Sequence, residues 1–196
     1  NFGSTRPTRP IAMPALSAVT LGSNTAAAFT HLPPPRHLGT PEDTEGACGR
    51  MTFWQVLREG PRFPLRNHAD AWRHGTPALR RRMRIDFALN LAAIAAALAT
   101  LHPVLLYHVA AMLVAQCLTA LFAVWITHHD CAEDDIARTQ RSPLVNFATY
   151  NMFLHLEHHL YPAVPVRRLG TLAHRIANAA PEVAARERLV FPEVWR

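Results

Sequence analysis

Lysine is absent from this chain of 196 residues: all 20 of its basic side chains are arginine. Arginine, alanine and proline dominate instead, which points to a GC-rich coding sequence and not to a function. Charged residues make up only 17%, below the roughly 25% usual for soluble domains. The three cysteines, Cys48, Cys117 and Cys131, form no C-x-x-C pair, and Cys117 lies inside an apolar run, so no disulfide framework is expected. The arginines are not interleaved with aromatics and no nucleic-acid motif accompanies them. The net charge of +6 is therefore read as positive charge flanking apolar spans, with no nucleic-acid partner. Residues 1–30 carry no charged segment feeding an apolar core and cleavage site, so no signal peptide is expected. No internal repeat is found. The chain opens on Asn1 and is read as a fragment or a processed product.

Apolar residues, 49% of the total, are concentrated in one region. Phe87 to Leu101 is interrupted only by Asn90 and Thr100, and Val104 to Ile126 is apolar again. His102-Pro103 between them disfavours one unbroken helix, so two spans of about 86–101 and 104–127 joined by a tight turn are predicted. Both are apolar all round, which favours a membrane hairpin over a buried pair in a soluble bundle. Arg80, Arg81, Arg82 and Arg84 precede the first span and place residues 80–84 on the cytoplasmic side, to which the hairpin returns His128. The fold class expected is all-α: an integral membrane helical hairpin plus a cytoplasmic helical histidine region. Three segments are expected. Residues 1–35 are a poorly ordered or misread N-terminal segment, because Pro14, Gly22, Ser23 and Asn24 break Ile11 to Phe29. Residues 36–180 form the membrane domain, and 181–196 a tail. Met51 to Leu57 reads as a short amphipathic helix ended by Gly60-Pro61. Val166 to Ala179 reads as a helix whose Arg167, Arg168 and Arg175 suit a membrane surface or plain solvent.

Histidine is the compositional anomaly, with 12 residues, and it is clustered. In Asn151-Met-Phe-Leu-His155-Leu-Glu-His158-His159-Leu-Tyr-Pro162, positions i, i+3 and i+4 share one helical face. His155, His158 and His159 would then point together and make a metal site of a kind suited to Zn, Cu, Fe or Ni. The alternative is three unrelated surface histidines. Asn151, one turn earlier, would orient a ligand or a water, or else start the helix. His128-His129-Asp130 follows the second span directly. Adjacent side chains on a helix diverge by about 100°, so only one of the two histidines should face a shared metal. Asp130 reads as a cap or a residue supporting a ligand. His31 and His37 flank Pro33-Pro34-Pro35, an extended stretch with little signal of its own. His68, His74, His102, His108 and His174 have no partner at metal spacing and read as surface or turn residues.

These motifs resemble the integral-membrane fatty acid desaturases, a group that extends to carotenoid hydroxylases and ketolases. His155-Leu-Glu-His158-His159-Leu-Tyr-Pro is similar to the third histidine box of that family. Asn146 and Asn151 precede it and Pro165 follows. Ala123-Val-Trp-Ile-Thr-His-His-Asp resembles the end of a late membrane helix that supplies a further ligand. The likeness runs from roughly Arg36 to Arg175. It implies two non-haem irons held by eight or more histidines, O2 as co-substrate and a membrane lipid or acyl substrate. It also implies electrons from a separate ferredoxin or cytochrome b5-type partner, since no His-Pro-Gly-Gly haem motif is present. On this resemblance the metal ligands are His31, His128, His129, His155, His158 and His159. The activity is acyl-lipid desaturation, with carotenoid or alkyl hydroxylation as the nearest variant. Substrate, regiochemistry and oligomeric state are not readable.

The family pattern is incomplete here. No first box precedes His31, and Pro33-Pro34-Pro35 stand where the second box needs histidines after His31. Arg-His-His encoded CGC-CAC-CAC gives Pro-Pro-Pro when read one base out of frame, so a frame error ending near Arg36 would account for the prolines. A degenerate, non-catalytic membrane fragment is the rival expectation.

Overall fold

The computed structural model describes residues 9–31, 44–131, 137–185 and 187–190. Pro33-Pro34-Pro35 and His37, on which the frame-error expectation rests, lie outside the described residues. The fold is all-α. Among the described residues the only β pairing is an isolated parallel bridge between Thr139 and Leu189.

Two long helices form the centre. Helix α6 (Pro77–Thr100) begins at Thr76, whose hydroxyl accepts from the Leu79 N–H, with Pro77 in the first turn where its missing N–H costs nothing. It ends on Leu101, which takes a left-handed conformation (φ 49°) and donates its N–H to Ala97 O. Pro103 then starts α7 (Pro103–Thr119), which runs through a π-helical turn (Ala120–Trp125) into α8 (Ile126–His128). The two spans, Pro77–Thr100 and Pro103–His128, hold 24 and 26 residues, about 36 and 39 Å of helix at 1.5 Å per residue. Each is long enough to cross a hydrocarbon core. Only 22% and 17% of their most apolar stretches is buried. Leu91, Leu98, Leu113, Val114 and Phe122 face outward, as lipid-facing side chains do and soluble core residues do not. The first span starts nine residues earlier than expected, so the arginine cluster lies within its first two turns.

Within residues 1–35, where little order is expected, the described residues 9–31 form two helices, α1 (Arg9–Thr20) and α2 (Asn24–His31). They pack on α6 and on α5 (Phe63–His74), which α2 contacts directly. Pro14 is accommodated inside α1. Tertiary packing overrides weak local propensity here. The Ser23 hydroxyl caps α2 by accepting from Ala26 N (3.1 Å) and donates to the buried Asp86 Oδ2 (2.7 Å). Ala26, Ala71 and Met83 fill the core between α2, α5 and α6.

Short helices α3 (Thr44–Gly49) and α4 (Phe53–Glu59) cover the π-helical turn, burying Cys48, Val56 and Phe63 against Ala120, Leu121 and Val124. After the second span come α9 (Pro143–Ala148), α10 (His155–Leu160), α11 (Leu169–Ala179), entered by a 3-10 turn at Val166–Arg168, and α12 (Pro181–Ala185). Leu154, Leu169 and Ala173 form their small core.

Candidate metal centre

Helix α10 is six residues long. At about 100° per residue, His155, His158 and His159 share one face and Glu157 lies opposite. The structure brings that face against the end of the second span and the end of α2. His155 Nε2 lies 3.2 Å from His128 Nε2 and 3.2 Å from His159 Nε2. His158 Nε2 lies 3.2 Å from His31 Nε2, and the His31 ring stacks on that of His158 at 5.2 Å. Nitrogen atoms of His31, His155 and His159 all fall within 4.8 Å of one another. Five imidazoles thus converge from three separate parts of the chain.

His129 does not join them. Its ring stacks on Trp125 at 4.2 Å, Nδ1 meets Gly49 O at 3.3 Å and Nε2 meets Asp130 Oδ2 at 3.3 Å. Trp125 is fixed in turn by donating Nε1–H to Met51 O (2.7 Å). Of the adjacent pair, only His128 faces the cluster. The tight fit of α3 against the span helps set this, because a Cβ on Gly49 would come within 2.9 Å of the His128 carbonyl.

Asn151 differs from its expected placement. It lies outside α10, in a turn where both Tyr150 and Asn151 have positive φ, and its amide donates to Val166 O (3.2 Å). It ties the start of the histidine segment to the 3-10 turn. Asp130 is exposed, with φ 54°, and contacts His129, not the cluster. His68 and His108, which have no partner at metal spacing, are each hydrogen-bonded to backbone groups. His68 Nε2 accepts from Ser23 N (2.9 Å) and Nδ1 meets Pro64 O (2.5 Å). His108 Nε2 meets Val19 O (2.9 Å). A sequence pattern does not reveal such long-range pairs.

The cluster is electrically ordered. Burial holds the His155 imidazole well below its ordinary value, and the neighbouring His159, His128, His31 and His158 push it further down. Burial, then His31, lowers His158 to about 4. Burial, then His31 and His128, lowers His159 to about 3. These imidazoles are therefore neutral near pH 7, the form that offers a lone pair to a metal. Two nitrogens bound to one ion at about 2.0–2.1 Å in tetrahedral array lie roughly 3.3 Å apart, close to the 3.2 Å seen here. Imidazole is a fitting ligand for iron, and the donor set fits a metal centre. A cavity of about 710 Å³ lies nearby, lined by Phe147, Tyr150, Asn151, Leu154 and His174 among others. No cluster histidine lines it.

An all-α chain with two uncovered apolar helices and a histidine cluster at the end of one has the features of a membrane protein with a metal-binding donor set. A family model of fatty acid desaturases matches residues 37–190, and the chain belongs to the fatty acid desaturase family. That family comprises lipid oxidoreductases, generally di-iron and O2-dependent, that act with lipid substrates and redox partners. With the two apolar helices it marks this chain as a membrane protein. His128, His155, His158 and His159 fall within the matched stretch; His31 precedes it. Comparisons with curated proteins and with solved structures find no match.

Proposed function

We propose that this chain is an O2-dependent di-iron lipid oxidoreductase that introduces a C=C bond into an acyl lipid. The observation that carries the reading is the convergence of five imidazoles at one end of the membrane hairpin, three of which, His155, His158 and His159, burial holds neutral near pH 7. His128, His155 and His159, linked by 3.2 Å spacings, would hold one iron. His158 and His31, 3.2 Å apart, would contribute to a second. His129 turns away and is left out of this ligand set. The bound irons would supply the oxidising power needed to break an unactivated alkyl C–H bond, which side chains alone lack. The protein's own residues do the rest. Burial keeps His155, His158 and His159 neutral, and the outward apolar faces of α6 and α7 would keep the chain in the lipid phase where the substrate resides. Electrons would come from a ferredoxin or a cytochrome b5-type donor. The arginines at the start of α6 favour the cytoplasmic side for the cluster.

A second reading is favoured by one observation: among the described residues five histidines meet, where the resemblance implies eight or more. On that reading the chain is a non-catalytic membrane fragment holding one metal or none. Iron content of the chain purified in detergent separates the two. Two irons per chain with loss of hydrogen from a supplied acyl lipid supports the enzyme. One or none, with no lipid product, supports the fragment.

A further inference from the structure

Glu157 sits between two cluster histidines in sequence, yet it is 1% exposed and faces away from them. A buried carboxylate this close to an imidazole site is a candidate ligand by type. Its geometry assigns it otherwise, because on the far side of α10 Oε2 is hydrogen-bonded and Oε1, with no hydrogen bond of its own among the described residues, is ion-paired. Thr139 Oγ1 donates to Oε2 at 2.8 Å. The Arg141 guanidinium approaches Oε1 at 2.7 Å, as an ion pair. Arg141 is itself held from the other side, with Nε donating to Glu187 Oε2 at 2.8 Å and a second nitrogen meeting Glu187 Oε1.

The segment 138–141 that carries these partners is anchored at both ends of the site. Arg138 N donates to Thr127 O (2.7 Å), next to His128, and Arg138 O accepts from Leu156 N (3.2 Å), next to His155. Thr139 also pairs with the C-terminal stretch, donating to Arg188 O and accepting from Val190 N, both at 2.9 Å. Helix α10 has six residues and no side-chain cap at its start. A helix that short does not fix its own orientation. Its roll about its axis must come from tertiary contacts, and a buried charge pair on the face opposite the histidines is the contact placed to set it.

We propose that Glu157, clamped by Arg141 and Thr139, is a positioning residue that fixes the roll of α10 and so aims His155, His158 and His159 at His31 and His128. The proposal rests on the metal reading above. The clamp acts through preorganisation: a ligand set held at bonding distance binds its ion more tightly than one that must rotate into place. Partners behind a ligand set commonly govern metal affinity by about ten- to a hundred-fold.

The test uses the full chain in detergent micelles, with Co2+ titrated by its visible absorption and iron content measured in parallel. E157Q keeps the size of the side chain and an acceptor for Thr139 while removing the charge facing Arg141. The expected result is a ten-fold or greater loss of Co2+ affinity with helix content and metal-free melting temperature close to the parent. H174A, at an exposed position of α11, should bind as the parent does. E157Q binding Co2+ within two-fold of the parent overturns the proposal. So does a melting temperature that falls while affinity of the folded protein is unchanged, since that marks a merely structural pair. Should E157Q fail to fold, R141K, which keeps the charge but loses the planar fork, takes its place with the same expected loss. If the parent itself binds neither Co2+ nor iron, the metal reading fails separately. The clamp is then judged by amide hydrogen exchange over residues 155–160: faster exchange in the variant upholds it, and equal exchange overturns it.

Discussion

The Nε2 atoms of His128 and His155 stand 3.2 Å apart across 27 residues of sequence. One terminates a membrane-length span and the other opens a short polar helix. Their closeness is organised by Arg138, whose N–H bonds to Thr127 O and whose carbonyl takes the Leu156 N–H. Each of those partners is the immediate neighbour of one of the two histidines. The backbone thus brings the two rings together before any metal is considered.

Replacing single histidines should sort them by role. His158→Ala and His128→Ala are expected to lower iron per chain to half or less of the parent value. His129→Ala should leave iron unchanged, because its ring faces Trp125, Gly49 and Asp130. His174→Ala should leave it unchanged too. Metal analysis of each variant after reconstitution in detergent checks all four. Equal iron in the His158 variant and its parent would remove the basis of the site.

The adjacent pair His128-His129 shows how far the sequence could be read. Helical geometry indicates that only one of the two can face a common point, but not which, since that depends on how α3 and Trp125 pack against the span. The i, i+3, i+4 spacing of His155, His158 and His159 is local, and so it is legible. His31 is not legible by spacing, because the fold and not the sequence interval brings it to His158. The same limit explains α1 and α2. Pro14 and Gly22 argue against helix locally, and packing on α5 and α6 supplies what propensity does not.

His68 gives the fold a defined acid sensitivity. Its Nε2 accepts from the Ser23 N–H, so the ring proton sits on Nδ1 and donates to Pro64 O. Burial lowers its pKa from 6.5, outweighing the raising effects of the Pro64 carbonyl and Asp86. A group whose folded pKa is depressed binds its proton more readily when unfolded, so its stabilisation is present above about pH 6.5 and is lost as pH falls below it. His68→Gln keeps an acceptor and a donor but does not titrate. Thermal melts of the metal-free chain between pH 7.5 and 5 should show a shallower fall for His68→Gln than for the parent. Parallel curves would exclude His68 as a source of the acid sensitivity.

Ser23 joins two functions in one hydroxyl, capping α2 and donating to Asp86. Ser23→Ala removes the cap and leaves a buried carboxylate oxygen without its donor. The expected cost is about 1–3 kcal/mol, read as a lower melting temperature in detergent. Since α2 ends on His31, the same variant should weaken Co2+ binding. His31→Ala should weaken binding without the stability loss, which separates the two effects.

Two glycines should respond to alanine in opposite directions. Gly60 has an ordinary helical conformation (φ −48°), so its backbone does not demand glycine. The space does: a Cβ there would overlap the Cys117 carbonyl oxygen, a backbone atom of the second span that cannot rotate away. Gly60→Ala must push the α4–α5 turn off the span and open the Cys48, Val56 and Phe63 core, at a cost of about 1–3 kcal/mol. Gly170, inside α11, has nothing within 4 Å of its would-be Cβ. Gly170→Ala removes conformational freedom from the unfolded chain without meeting any neighbour, and should raise stability by about 0.4–1 kcal/mol. Melting temperatures of both variants in the same detergent decide the matter. A neutral Gly60→Ala would mean that the turn does not seat against the span as closely as its geometry states.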